Sequence, residues 1–311
     1  MGQMNWFWAF VLSLCCWAMP AVGAPSALAQ RHAEVLREAY AQGNRWEAVS
    51  ETHLHHYVLP LTSLGEDEAD WLPVLRPLAT ELTASAKTPL EAAMALNRDL
   101  WKRIGVIYST QREKANQDPL HSMRLGLASC SGLSILLVDA CRSLGIPARV
   151  VGCVWRLKPG NHSWVEIWSE GQWYPLGAFE DCPPDKLWFL DDAAAADARH
   201  PAYAIYAACA APGETRFFGW NVPAVNVTQR YLKAAQEPEA KVFVAVERGG
   251  QRIAVPLLIN GQSYQSPGPL QDMNDYTVVP LPKDGVLNVQ VEGQTRRYTC
   301  KPNQILVEQL P

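Results

Sequence analysis

The chain has 311 residues, and its 27 basic and 31 acidic side chains give a formal net charge of −4 at pH 7. This balance offers no basic surface for nucleic acid, so we exclude nucleic acid as a partner. A hydrophobic content of 48% is enough for packed cores, and the length predicts more than one domain.

The N-terminal segment, residues 1–29, carries no charged side chain and is almost wholly apolar from Trp6 to Met19. The run Ala27-Leu-Ala29 fits the small-x-small pattern that precedes signal-peptide cleavage. We therefore predict a signal peptide over 1–29 and a secreted protein, located in the bacterial periplasm. The alternative is an uncleaved N-terminal anchor, the one case in which we expect contact with a membrane.

A helical region is predicted over residues 30–87, with amphipathic helices at 31–40 and 47–57. His53 and His56 are three residues apart and could share a helix face, but no cysteine or acid cluster is spaced to complete a metal site. We predict no metal and no cofactor.

A further helix is predicted from Thr88 to about Ile107, because Thr88 can cap it, Pro89 suits its first turn and Glu91 completes a capping box. This helix begins a core domain at 88–235. The polar residues 108–122 are predicted to be a linker.

Cys130 begins the next predicted helix. Apolar residues recur at spacings of three and four from Leu133 to Leu144, and Gly145 follows where a left-handed C-cap is needed. At a helix N-terminus the free amides and the dipole favour a thiolate, which is a nucleophile. The alternative is that Cys130 is a structural thiol, buried or in a disulfide.

A histidine begins a strand further along the chain. After a buried strand at 146–154, alternation from His162 to Trp168 places His162, Trp164 and Glu166 on one sheet face. Glu170-Gly171 is typical of a tight hairpin turn, and 172–176 is the return strand. A histidine here can take the thiol proton and pass it to a leaving group.

These segments resemble the transglutaminase-like superfamily of papain-type thiol enzymes, whose core has a Cys-initiated helix, a G-I-P-A-R turn and an H-x-W-V-E strand. Here the three are Cys130, Gly145-Ile-Pro-Ala-Arg149 and His162-Ser-Trp-Val-Glu166. The resemblance covers about 88–231. It implies an α+β fold with a papain/transglutaminase-like core, Cys130 as nucleophile and His162 as base.

The chain departs from the family pattern at one position. The family usually carries an aspartate about four residues after the tryptophan of the return strand, where it orients the imidazole, and four residues after Trp173 is Gly177. A hairpin centred on Glu170-Gly171 would place His162 opposite Phe179 and beside Glu180.

We therefore predict Glu180 as the acid that orients the imidazole, with Asp181 and Asn161 as alternatives. Several of the twelve tryptophans lie near the predicted site, and we predict that Trp155 and Trp164 bind substrate.

Six cysteines follow the signal peptide, and a catalytic Cys130 has to stay reduced. One disulfide could form among Cys153, Cys182 and Cys209, and the sequence does not choose among them. Cys141 lies on the buried face of its helix and is predicted to pack in the core.

From residue 241 the pattern changes to short alternating strands separated by Gly, Asn, Asp and Pro turns. Strands are predicted at 241–246, 253–259, 276–281, 285–291 and 297–300. They indicate a small antiparallel β-sandwich domain at 236–311, with a role in docking or stability.

The resemblance implies an exported cysteine enzyme that acts on a peptide bond or a carboxamide through a thioester. Peptidase or amidase activity is favoured over cross-linking, and the expected partner is a peptide or protein substrate, with cell-envelope peptide as a candidate. One alternative is a catalytically inactive transglutaminase-like binding module of the cell envelope, which the missing aspartate favours. Another is a disulfide-stapled structural protein.

Overall fold

The computed structural model describes residues 24–211, 215–216, 222–232, 240–271 and 275–311. The fold is α+β, as predicted: helices come first, a six-stranded sheet follows, and two smaller sheets lie at the C-terminal end. Among the described residues, no helix is long and apolar enough to cross a membrane. The helices are α1 (Ala27–Gly43), α2 (Glu51–Tyr57), α3 (Leu72–Leu82), α4 (Pro89–Ile104), α5 (Pro119–Leu125), α6 (Cys130–Ser143), α7 (Leu190–Ala193) and a 3₁₀ helix (Thr228–Arg230).

Most of the predicted signal peptide lies outside the described residues, which begin at position 24. The hydroxyl of Ser26 accepts a hydrogen bond from the amide of Ala29 and caps α1. Cleavage after Ala29 would therefore cut the first turn of α1 and remove its cap. The signal peptide stays a prediction.

No separate helix was predicted at α3, which lies within the predicted helical region 30–87, or at α5. Prolines at 73 and 77 argue against a helix in this stretch, but Pro73 lies in the first turn of α3, where its missing N–H costs nothing. Burial of Leu72, Leu75 and Ala79 then stabilises α3. The seven-residue α5 lies in the predicted linker, and the carboxylate of Asp118 caps it.

The central sheet is antiparallel, with strand order β5-β4-β3-β6-β8-β7. A parallel pair, β1 with β2, leads into α6. Glu170 and Gly171 have φ values of +50° and +80°, so the predicted tight turn is present between β4 and β5. The strands are β1 (Ile107–Tyr108), β2 (Leu127–Ala128), β3 (Ala148–Val154), β4 (Asn161–Ser169), β5 (Gln172–Leu176), β6 (Tyr206–Ala208), β7 (Thr215–Arg216) and β8 (Pro223–Asn226).

Both faces of this sheet are covered. Side chains alternate along β4, so Val165 and Ile167 pack with α6 in the main core, and Trp164 packs on the other face with Phe189 and Tyr231. A strand that is buried on both faces is mostly apolar, as β3 is from Val150 to Val154, and its one charged residue, Arg149, is paired with Glu166 of β4.

The C-terminal end forms two four-stranded sheets that share one hydrophobic core. Pairing is antiparallel as predicted, except that β16 runs parallel to β9. Three strands, β10, β12 and β16, were not predicted. The strands are β9 (Lys241–Arg248), β10 (Gln251–Arg252), β11 (Pro256–Ile259), β12 (Gln262–Gln265), β13 (Thr277–Pro280), β14 (Val286–Val291), β15 (Gln294–Thr299) and β16 (Gln304–Leu310).

Candidate active site

Cys130 is the first residue of α6, at the helix end whose partial positive charge favours an anion. Ser129 caps this end, because its hydroxyl oxygen accepts a hydrogen bond from the amide of Gly132 at 3.0 Å. The same hydroxyl donates to the carbonyl of Ala115. Cys130 is only 9% exposed, and it lines a cavity of about 280 Å³.

His162 lies at the start of β4, opposite Cys153 of β3, and its imidazole is surrounded by aromatic rings. The ring centroids of Trp188 and Phe189 lie 4.9 and 5.0 Å from that of His162, and those of Trp155 and Trp164 lie 6.1 and 6.0 Å away. Rings on several sides restrict the orientation of the imidazole. His162 is buried and lines the same cavity as Cys130.

A side-chain contact ties the start of α6 to the start of β4. The hydroxyls of Ser131 and Ser163 are hydrogen-bonded at 3.0 Å, and these two residues follow Cys130 and His162 directly in the chain. The thiol and the imidazole therefore stand at one end of the helix–sheet interface.

The return strand ends before it reaches His162. The register follows the predicted hairpin as far as the pair Val165 and Leu176, and pairing stops there. The predicted position of His162 opposite Phe179 is wrong, because the chain turns out of the sheet after Leu176. Phe179 has φ +74°, and the amide of Glu180 donates to the carbonyl of Gly177.

Asn97 of α4 holds this turn. Its side-chain amide donates to the carbonyls of Gly177 at 2.8 Å and Glu180 at 2.5 Å, and its oxygen accepts from the amide of Phe179 at 2.9 Å. Asn97 is buried and was not singled out from the sequence. The available signal was a polar residue on the apolar face of a helix.

The turn folds the carboxylate of Glu180 back over Gly177. A Cβ atom added at Gly177 would collide with that carboxylate, so a larger residue here would displace the carboxylate from this position. The carboxylate accepts a hydrogen bond from the indole N–H of Trp188 at 2.8 Å, and Glu180 lines the cavity with Cys130 and His162. The two alternative orienting residues, Asp181 and Asn161, are exposed and are not among the described residues that line this cavity.

Trp155 and Trp164, predicted to bind substrate, are buried next to His162. They are 3% and 0% exposed, and neither is among the described residues that line the cavity. The indole N–H of Trp164 donates to the hydroxyl of Tyr231 at 2.9 Å. Trp164 shares a sheet face with His162 and Trp155 follows the end of β3, and both rings are buried beside the imidazole.

The arginine and glutamate of the two sequence motifs form a buried ion pair between β3 and β4. Arg149 Nε lies 2.8 Å from Glu166 Oε2, and both side chains are almost fully buried. Glu166 also accepts from Arg230 at 3.0 Å and from the hydroxyl of Tyr231 at 2.7 Å. The guanidinium of Arg149 stacks on Trp173, 3.9 Å from its ring centroid.

All six described cysteines are free thiols, so the disulfide considered among Cys153, Cys182 and Cys209 is absent. Cys141 is buried in the main core, as predicted. Burial raises the pKa of the Cys141 and Cys153 thiols well above the ordinary value. Burial also raises the pKa of the Cys182 thiol, and the charge of Glu180 adds to this effect.

His53, considered above as a metal ligand, packs against aromatic rings. Its ring centroid lies 4.3 Å from that of Trp168, and Nδ1 is 2.8 Å from the hydroxyl of Ser50. No group of three or more His, Cys, Asp or Glu residues in the described part of the chain is arranged to hold a metal ion.

Two parts of the cavity wall were missed in the sequence. Tyr108 of β1 and Trp188, in the loop before α7, line it from the core domain. The C-terminal sandwich contributes Leu270, Gln271 and Asp275. The cavity is therefore shared between the two domains, whereas the sequence suggested that the sandwich serves only docking or stability.

Comparisons with known proteins identify the central segment. Residues 76–178 match the family described as the transglutaminase-like superfamily. No curated protein matches the chain. Part of the chain is also similar to solved structures, among them three of which the chain spans half or less.

An inferred cysteine protease from Cytophaga hutchinsonii shares 18% identity, with a TM-score of 0.36 and coverage of 47% of this chain and 49% of that one. The periplasmic domain of TgpA from Pseudomonas aeruginosa, bound to ethylmercury, shares 23% identity, with a TM-score of 0.29 and coverage of 40% and 49%. An inferred protease from Parabacteroides distasonis shares 10% identity, with a TM-score of 0.31 and coverage of 62% and 33%.

Proposed function

We propose that this chain is an exported cysteine hydrolase of peptide bonds or carboxamides. It carries a transglutaminase-like superfamily domain at residues 76–178. The observation that supports this proposal is that Cys130, His162 and Glu180 line one cavity. These residues supply a thiol, a base and an acid, the three groups that acyl transfer by a thiol needs.

In the first half-reaction the sulfur of Cys130 attacks the substrate carbonyl carbon, and its proton moves to His162. Negative charge develops on the carbonyl oxygen. The backbone N–H of Cys130, in the first turn of α6 where amides have no helical acceptor, stabilises it together with the phenol of Tyr108, which lines the cavity. The C–N bond then breaks as His162 gives the proton to the leaving amine, and a thioester remains on Cys130.

In the second half-reaction His162 takes a proton from water, and the resulting hydroxide attacks the thioester carbon. The C–S bond breaks, the acid product leaves and His162 returns the proton to the sulfur. Glu180 holds the imidazole in the orientation that both halves require and stabilises its positive charge. If an amine replaces water, the same steps form a new amide, which is the cross-linking alternative.

The first test is site-resolved alkylation of the purified chain with iodoacetamide at pH 6, read by mass spectrometry. An ordinary thiol with a pKa of about 8.5 is under ~1% ionised at this pH. We expect Cys130 to react at least ~10-fold faster than Cys182, which is the internal reference. The variants His162→Ala and His162→Gln should remove most of this difference.

A second test measures hydrolysis of peptide anilides, with and without an added primary amine. We expect Cys130→Ser to abolish anilide release, and the ratio of acid to amide product separates hydrolysis from cross-linking. Cys130 labelling no faster than that of Cys182, with no anilide release, would support the inactive binding module and contradict the enzyme.

A further inference from the structure

The cavity that holds Cys130 and His162 has one wall that belongs to the C-terminal sandwich. Leu270 stands on this wall and is 62% exposed. Facing the same cavity from the core domain are Phe179 and Trp188, each 36% exposed. Three large apolar side chains that keep contact with solvent are thus gathered at one opening.

The base of the Leu270 loop is tied to the sandwich on both sides. On one side, the side-chain oxygen of Gln271 accepts from the amide of Gly268 at 2.5 Å. A Cβ atom added at Gly268 would lie 3.1 Å from the Cβ of Ala254, so this backbone packs closely on its own domain. On the other side, Arg252 donates to the carbonyl of Asp275 at 2.6 Å. The described residues on both sides of Leu270 are therefore anchored to the sandwich.

The sandwich also contacts the core domain next to the imidazole. The ammonium of Lys158 lies 5.7 Å from the ring centroid of Phe243 in β9, and 5.0 and 5.1 Å from those of Trp155 and Trp188. Lys158 is only 7% exposed, and its charge is balanced by Asp192 at 2.7 Å. A buried cation between aromatic faces of both domains holds them together at this point, and Trp155 and Trp188 also contact the His162 ring.

We propose that the C-terminal sandwich completes the substrate site, and that Leu270, with Phe179 and Trp188, selects a substrate with a large apolar side chain next to the carbonyl that Cys130 attacks. The cavity of about 280 Å³ has room for such a side chain. Burial of this side chain removes apolar surface of both the substrate and the cavity wall from water. Apolar substrates are therefore favoured over polar ones. This inference rests on the proposed function, since it assigns the specificity of the same thiol.

The test compares two electrophiles with the same reactive group, iodoacetamide and N-benzyl iodoacetamide, on the full chain. For each we measure the second-order rate constant of Cys130 labelling. We expect the benzyl compound to react at least ~10-fold faster with the unaltered protein. Leu270→Ser should lower the ratio of the benzyl rate constant to the iodoacetamide rate constant at least ~5-fold, and Leu270→Met should retain this ratio.

Leu258→Ser is the matched control. Leu258 is also an exposed leucine of the sandwich, at 38%, and it is not among the described residues of the cavity wall. An unchanged preference in Leu270→Ser, with normal iodoacetamide labelling, would overturn this inference alone. A Cys130 that reacts with neither compound would overturn the proposed function, and the inference with it.

Discussion

The position of the Glu180 carboxylate accounts for the glycine at position 177. The carboxylate fills the space in which a side chain at 177 would begin, and Asn97 fixes the turn that carries it there. The resembled family usually has an aspartate at this point of the return strand. In this chain the proposed acid comes from the turn after the return strand and not from within the strand.

The role of Glu180 can be tested by moving the carboxylate from residue 180 to residue 177. We expect Glu180→Ala to lower kcat/KM for a peptide anilide by about 10²-fold or more, because the imidazole loses its orienting partner. The double variant Gly177→Asp/Glu180→Ala should regain much of the loss, since the space that the glutamate leaves accommodates the new side chain.

Gly177→Asp alone is the control for this test. It should be less active than the double variant, because the Glu180 carboxylate then has to move aside for the new side chain. A Glu180→Ala variant with unchanged kcat/KM would contradict the assignment of Glu180.

The strands β3 and β4 are joined by charge as well as by backbone hydrogen bonds. Arg149 and Glu166 lie opposite each other in the register, and both are almost fully buried. A buried pair of this kind contributes little net stability while intact, and the loss of one partner leaves the other charge uncompensated. This pair therefore fixes how the two strands meet near the histidine.

We expect Glu166→Gln to lower the free energy of unfolding by about 3–5 kcal/mol, because the Arg149 guanidinium stays buried without its carboxylate. The measurement is urea denaturation followed by circular dichroism. The double variant Arg149→Met/Glu166→Gln should be more stable than the single one, since both charges are gone. A double variant less stable than Glu166→Gln would show that Arg149 stabilises the fold through its stacking on Trp173 and not through charge.

The stability of the whole molecule should depend on pH through a histidine that is not among the residues lining the cavity. His32 of α1 is 3% exposed and meets the ring of Trp71 edge to face, 4.6 Å between centroids. Neither of its ring nitrogens has a hydrogen-bond partner in the described part of the chain. Burial lowers the pKa of His32 from 6.5 to about 4, and the positive charge of Arg142 adds to this effect.

Below pH 6.5 the unfolded chain binds a proton at this histidine and the folded chain does not, so stability is lost as the pH falls from 6.5 to 4. We expect His32→Phe to make the unfolding free energy fall less steeply over this range, because phenylalanine keeps the ring contact and has no proton to bind. The measurement is chemical denaturation at half-unit pH steps. His55→Gln, at an exposed position, is the control, and equal slopes in His32→Phe and the unaltered protein would contradict the prediction.

The helix that begins at Cys130, the left-handed Gly145 after it and the Glu170-Gly171 hairpin follow from local rules, and all three are present. Spacing, capping and turn preferences act between residues a few positions apart, so one sequence suffices to find them. The same rules did not place α3 as a separate helix within the predicted helical region, because buried contacts outweigh two prolines there. They also missed β16, which is parallel to a strand about 60 positions away.

The sequence by itself determined the helix with its thiol, the histidine strand and the class of the fold, because those features depend on neighbours along the chain. Contacts across the fold decided the rest: Asn97 reaches a turn 80 residues away, the cover over β4 buries Trp164, and Leu270 joins the cavity from another domain. Such contacts produce no regular spacing of residues in the sequence, because they depend on how separate elements pack.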